Sequence, residues 1–200
     1  MRTPYTPSVC GVGFVGEGPC AVTINGRMTP QYSLWKDMLR RCYSAAYHAR
    51  HPTYTTCSVD DRWHNFQTFC RDTMRMRNAY VEGFELDKDL RVPGNRVYGP
   101  TTCSFVPKEI NRLLNDHRSV SKGKRLQGVT VRKSGRVEVN MRVNSKPKHI
   151  GTFDNTQEAH EAYLSARTEY VRQTARKFRS ELHRQVYSNL IKYQESAPWG

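Results

Sequence analysis

The chain has 200 residues, a formal net charge of +14 and an isoelectric point near 9.8. Mean hydropathy is −0.76, which points to small modules with polar surfaces, and no apolar run approaches the roughly 20 residues that a membrane span needs. So large a positive excess favours nucleic acid over small acidic ligands, because phosphate contacts give sequence-independent affinity through counterion release.

Residues 1–30 are rich in Gly, Pro and Thr and lack periodicity, so they read as an irregular arm with a short strand around Cys20–Ile24. Over 31–48, Leu34, Trp35, Met38, Leu39 and Cys42 recur at helical spacing, with Lys36, Arg40 and Arg41 off that stripe and Ser33 as the cap. A short extended piece at 55–60 leads to a second helix over 61–76. Trp63, Phe66, Phe69 and Cys70 line one face of it, and Asp60 or Asp61 caps it. The aromatics of both helices read as core. The six cysteines (Cys10, Cys20, Cys42, Cys57, Cys70, Cys103) form no CxxC pair and no zinc-knuckle spacing, and with no secretion signal they are expected to be reduced, buried thiols in a cytoplasmic protein.

Residues 83–111 are the richest in chemistry. In LDKD at 86–89, Asp87 and Asp89 stand two residues apart around Lys88. A Pro/Gly/Asn loop follows, then a short apolar run, then Asn111 near the start of a helix. Asp87 and Asn111 are oxygen donors suited to Mg²⁺. Asp89 shares a face with Asp87 on a regular strand and is a second candidate. Asn115 lies one helical turn beyond Asn111.

Residues 118–125 form a basic linker, and from 126 the period changes to 2. Val129 and Val131 alternate with Thr130 and Arg132; Ser134–Gly135 makes a turn; Val137, Val139, Met141 and Val143 alternate with Arg136, Glu138, Asn140 and Arg142. A third strand runs over about 148–153, and Thr156 caps a helix whose Ala159, Ala162, Tyr163, Ala166 and Tyr170 cover the aliphatic face. The expected class is therefore α+β: a helical scaffold carrying an acidic hairpin, then a three-stranded antiparallel sheet packed on a helix. The segment from 118 to 148 holds ten basic residues against the single acid Glu138, or +9 of the +14. Candidate DNA contacts are Arg132, Lys133, Arg136, Asn140, Arg142, Lys146 and Lys148, since Arg can pair with guanine, Asn with adenine, and Lys with phosphate. Helical patterning continues through Phe178, Leu182, Val186 and Leu190 into a basic tail at 174–200.

Two segments resemble known families. Residues 127–170 resemble the Apetala-type (ethylene-response-factor) DNA-binding domain, through Gly128–Val129, the alternating strand 136–143, the Ile150-Gly151-Thr152-Phe153 run and the Ala159/Ala162/Tyr163 helix. The resemblance implies that the sheet enters the major groove of duplex DNA; the family's sheet tryptophans are absent here. Residues 32–111 resemble phage- and mobile-element-type HNH (ββα-metal) homing endonucleases, through Trp35, Met38, Leu39, Arg41-Cys42-Tyr43, Trp63, Phe66, Phe69, LDKD at 86–89, Tyr98, Pro100, Cys103, Phe105 and Asn111. This implies an HNH-like module over 31–117, an Apetala-type domain over 126–173, Mg²⁺ or another divalent cation as cofactor, and host cytoplasm if the chain is phage-encoded.

Residue by residue, Asp87 falls at the first metal ligand, Lys88 at the general base, Thr102 at a structural loop Asn, and Asn111 at the last ligand. Lys88 and Thr102 depart from the pattern. A lysine ammonium can hold a phosphate but cannot activate water, so His64 and His117 are substitute bases to weigh. The implied activity is phosphodiester hydrolysis. The alternatives are a catalytically degenerate DNA-binding protein on the same scaffold, and an inhibitor or adaptor acting at nucleic-acid surfaces.

Overall fold

Trp35, Leu39, Trp63, Phe66 and Phe69 are wholly buried, and the first half of the chain is assembled around them. The structure, a computed structural model, describes residues 3–115, 126–143 and 146–194, and its contacts divide into two α+β units at Val106/Pro107.

In the first unit, β1 (Thr23–Ile24) and β2 (Arg27–Met28) form a hairpin. Its turn is Asn25–Gly26, with φ of 51° and 74°, the conformation that such a two-residue loop demands. Helix α1 (Pro30–Tyr43) starts one turn before the expected cap. Thr29 accepts from Tyr32 N at 3.3 Å, and Pro30 takes the first helical position, where its missing N–H costs nothing. Ser44 then ends α1 and caps a separate helix, α2 (Ala45–Arg50), so the predicted single helix is two. After β3 (Ser58–Val59) a 3₁₀ turn (Asp61–His64) precedes α3 (Phe66–Met74). Asn65 caps α3 by accepting from Gln67 N at 2.9 Å, which is why the predicted helix over 61–76 starts late.

Both buried indoles have partners, as amphipathic aromatics in a core require. Trp35 Nε1 donates to Trp63 O at 2.7 Å, and Trp63 Nε1 to Asp72 Oδ2 at 2.9 Å. The arm is less irregular than its composition suggests. Phe14 bridges to Asn65, and Gly13 sits so close to α1 that a Cβ would come within 2.3 Å of Leu39 Cδ1. Gln67 holds both the N–H and the carbonyl of Cys20, at 2.8 and 2.9 Å, and Cys20 is joined to Cys70 in a disulfide with Cα atoms 6.5 Å apart. The expectation of six reduced thiols is corrected at this pair. The remaining cysteines are Cys42, Cys57 and Cys103, which are buried, and Cys10, which is exposed.

Strands β4 (Phe84–Asp87) and β6 (Ser104–Pro107) pair with each other, while β5 (Val97–Tyr98) leaves them to pair in parallel with β3. The acidic segment is thus not a simple hairpin.

The second unit opens with α4 (Lys108–Asn115). It continues with the antiparallel sheet β7 (Val129–Val131), β8 (Val137–Val143) and β9 (Lys146–Phe153), then α5 (Thr156–Lys177) and α6 (Arg184–Ile191). Asn155, not Thr156, caps α5, accepting from Glu158 N at 2.9 Å. Val137, Val139 and Met141 pack on Ala159 and Tyr163, as the period-2 pattern requires. Gly128 has φ +71° and lies against the Tyr163 ring, where a Cβ would come within 2.4 Å, so only glycine fits. Helix α6 turns back onto α5 and buries Val186 and Leu190. No helix among the described residues is long and apolar enough to cross a membrane.

Candidate active site and nucleic-acid interface

Strand β4 ends at Asp87 because that side chain closes a turn. Its Oδ1 accepts from Asp89 N at 2.9 Å and Leu90 N at 2.7 Å, an Asx turn that competes successfully with the strand ladder. Asp87 and Asp89 therefore do not share a regular strand face. Asp89 instead accepts an ion-paired hydrogen bond from Lys88, whose side chain is only 7% exposed. Lys88 Nζ also lies 5.7 Å from the centre of the Tyr98 ring. The sequence-predicted trio Asp87, Lys88 and Asp89 is thus brought together in a half-buried loop.

Burial, reinforced by the Asp89 charge, pushes the Asp87 carboxyl up to about 6, against the pull of the Leu90 and Asp89 amides and of Lys88. Among the described residues its second oxygen, Oδ2, accepts no hydrogen bond. A carboxylate anchored through one oxygen and open at the other suits a hard divalent cation, and Mg²⁺ commonly takes only one or two protein carboxylates and keeps its other positions for water and phosphate. No cluster of three or more His, Cys, Asp or Glu able to hold a metal occurs among the described residues.

Asn95 was not anticipated. Its Nδ2 donates to Lys88 O at 2.8 Å and to Val97 O at 2.7 Å, and its Oδ1 accepts from Val97 N at 3.2 Å. Asn95 thereby ties the loop across to the Lys88 backbone, the bracing role assigned by resemblance to Thr102. The Thr102 hydroxyl donates at 2.7 Å to Val97 O and at 3.3 Å to Gly99 O, within its own turn. An Asn directly after Pro93–Gly94 was the available signal. Arg41 was also passed over. It is half-buried and hydrogen-bonded to the Tyr98 hydroxyl, and that bond with the neighbouring Tyr54 and Tyr47 raises its pKa against the cost of burial. Cys42 and Cys103 are pushed up to about 12 by burial, which marks them as structural thiols and not nucleophiles.

His64, a candidate base, is engaged elsewhere: its Nε2 lies 3.1 Å from the Tyr43 hydroxyl, which in turn accepts from Val59 N at 3.0 Å. Asn111 sits half-buried in α4 and belongs to the second unit, whereas the acidic trio belongs to the first. The side chain of Asn115, together with His117, Arg118, Lys122, Lys124 and Arg125, lies outside the described residues.

The basic sheet differs from its predicted form in one decisive respect. Pairing of β8 with β9 shifts between Val139 and Asn140: Val139 opposes Gly151 but Asn140 opposes His149. This β-bulge reverses the alternation on β9 before residue 150, since directly opposed residues share a face. Lys146 and Lys148 oppose Val143 and Met141, and so lie on the side of the sheet that carries the aliphatic residues. The outer face holds Arg132, Arg136, Asn140 and Arg142, joined by His149. Lys133 occupies the exposed turn. Arg132 pairs with Glu138 and Arg136 with Asp154, while Arg142, Lys133, Lys146 and Lys148 make no ion pair among the described residues. A cavity of about 190 Å³ at the edge of the sheet is lined by Gly128, Asn140 and Arg142 and, from the helix-covered side, by Met141, Tyr163 and Arg167.

Comparison with protein-family models, with curated proteins and with solved structures finds no match to this chain.

Proposed function

We propose that the chain is a metal-dependent DNA endonuclease of the HNH homing type, with the loop at 87–95 carrying the chemistry and the sheet at 129–153 holding duplex DNA. The observation that carries the reading is Asp87: a carboxylate desolvated at a strand end, anchored through one oxygen and open at the other, with Asp89 and Lys88 beside it. A net charge of +14 supplies attraction for a polyanion.

Asp87 and Asp89 would hold Mg²⁺. Bound Mg²⁺ would supply charge stabilisation of the phosphoryl oxygens in the transition state. Lys88 donates its N–H groups toward the substrate phosphate, partly exchanging Asp89 for a phosphate oxygen. Asn95 holds the Lys88 carbonyl and so keeps the turn in one geometry. Arg136, Arg142, Asn140 and His149 contact the duplex.

One observation favours a second reading, a catalytically degenerate DNA-binding protein. Lys88 is an ion-paired donor where a proton acceptor is needed, and His64 is held by Tyr43. A supercoiled-plasmid nicking assay with Mg²⁺ or Mn²⁺, against EDTA, decides between them. Metal-dependent nicking supports the endonuclease; intact DNA binding without nicking across metals and substrates selects the degenerate scaffold.

A further inference from the structure

Residues 38–59 contain no Asp or Glu, and within them stand Arg40, Arg41, His48, Arg50 and His51 interleaved with Tyr43, Tyr47 and Tyr54. The fold turns this stretch into a surface. Helix α2 buries none of its residues, so neither it nor its aromatics are explained by packing into the first unit's core. The rings of Tyr47 and His51 stack with centroids 4.4 Å apart and planes 30° from parallel, and Tyr54 meets Tyr47 edge-on at 5.6 Å. The Arg40 guanidinium lies 5.5 Å from the Tyr47 ring centre. Arg50 and His51 are exposed.

At the inner end of the patch is Arg41, bonded to the Tyr98 hydroxyl, and the ring of that same Tyr98 has the Lys88 ammonium 5.7 Å from its centre. A guanidinium offers five N–H donors in a plane, more than one phenol oxygen can accept, so Arg41 retains donors for a phosphate. The half-buried aromatic column, capped by the exposed His51, and the cations around it are therefore continuous, through Tyr98, with the acidic loop.

We propose that this patch is a second nucleic-acid contact, borne by the first unit. Arg41 and Arg50 hold backbone phosphates, and an unpaired base stacks on the Tyr47–His51 ring pair. Stacking on aromatic side chains combined with flanking cations is how single strands are held without sequence preference. Charge complementarity selects the partner: residues 38–59 carry no carboxylate, and Asp37, which pairs with Arg40 at 2.9 Å, and Asp61, beside Tyr43 and His64, stand at the margins of the patch. The inference rests on the reading of the chain as a nucleic-acid-binding protein and adds to it a strand-holding site beside the chemistry.

The test uses the full chain and a labelled oligonucleotide, single-stranded or annealed, with affinity followed by fluorescence anisotropy across salt. Arg50→Ala with His51→Ala should weaken single-strand binding by about fivefold or more and lower the salt slope by about one. The thermal melt should be unmoved, since both side chains are exposed. His51→Tyr, which keeps a ring at the position, should bind like the parent; loss of affinity in that variant overturns the stacking assignment. Unchanged affinity and salt slope in the double alanine variant, with binding lost in Arg136→Ala plus Arg142→Ala, overturns the patch and leaves the sheet reading standing. A parent protein that binds neither oligonucleotide at low salt overturns the nucleic-acid reading itself, and the patch with it.

Discussion

The acidic loop at 87–95 and the outer face of the sheet at 129–153 hold charge in opposite ways. In the loop, ionised groups are desolvated and each answers to named partners: Asp87 to two backbone amides, Lys88 to Asp89, and the Lys88 carbonyl to Asn95. On the sheet the arginines are solvated, and their ion pairs with Glu138 and Asp154 are surface pairs screened by water and salt. The loop's geometry is set before any ligand arrives and its arrangement costs folding energy. The sheet costs little and adapts its long side chains to what it meets. Catalytic sites resemble the first arrangement and backbone-tracking surfaces the second.

The largest effect should come from the support beneath the loop. Trp63→Ala removes a wholly buried indole bonded to Asp72, and a denaturant melt should show the first unit destabilised by about 3–5 kcal/mol. A cooperative, parent-like melt would show that these aromatics are not its foundation.

Asp87→Ala should cut metal-dependent nicking by roughly a hundredfold or more while leaving DNA affinity near the parent's, because a metal ligand serves the transition state whereas phosphate contacts serve binding. Nicking that survives the substitution would move the metal elsewhere. Equal loss of affinity would erase the contrast between loop and sheet.

The same carboxyl gives a stability test. Its pKa is about 6 in the fold against an ordinary 3.8, so the folded state holds the proton more tightly. No stability is lost to ionisation below the ordinary value; the loss develops as pH rises from 3.8 to about 6 and is complete above it. Asp87→Asn should therefore be more stable than the parent at pH 7, by on the order of 1–2 kcal/mol given the residue's remaining solvent contact, with the gap closing near pH 4. Thermal melts of both proteins across that range check the sign.

A smaller difference separates the two sides of the sheet. Arg136→Ala with Arg142→Ala should lower duplex affinity and reduce the salt slope by about two, whereas Lys146→Ala with Lys148→Ala should do less. Equal effects would mean that the bulge does not decide which side meets DNA.

Lys88→His should produce the subtlest change, a gain in nicking from a group able to accept a proton near neutrality. No gain would show that the loop's geometry is specific to the Lys88–Asp89 pair.

Much of this was legible in the chain because it depends on local periodicity. Alternation placed Val137, Val139 and Met141 inward. Small-residue spacing at Ala159 and Tyr163 announced the covering helix, and the stripe Trp35, Leu39, Trp63, Phe66 announced the first core. The LDKD turn was visible as chemistry but not as shape, since nothing local says that Asp87 folds onto the amides of Asp89 and Leu90 and not along a strand.

What the sequence determined by itself were properties that sum over residues or repeat along them: net charge, the aliphatic and aromatic faces, the α+β class. Only tertiary structure decided which distant groups meet. The bulge opposite Asn140 put His149 in place of Lys148 on the outer face, β5 left its neighbours for β3, and Gln67 captured Cys20 beside Cys70. Asn95, not Thr102, reached the Lys88 carbonyl, and Arg41 found Tyr98. Each of these depends on one register shift or one side-chain bond across many residues, and an energy that arises only when two remote segments are already in place leaves no periodic trace in the chain.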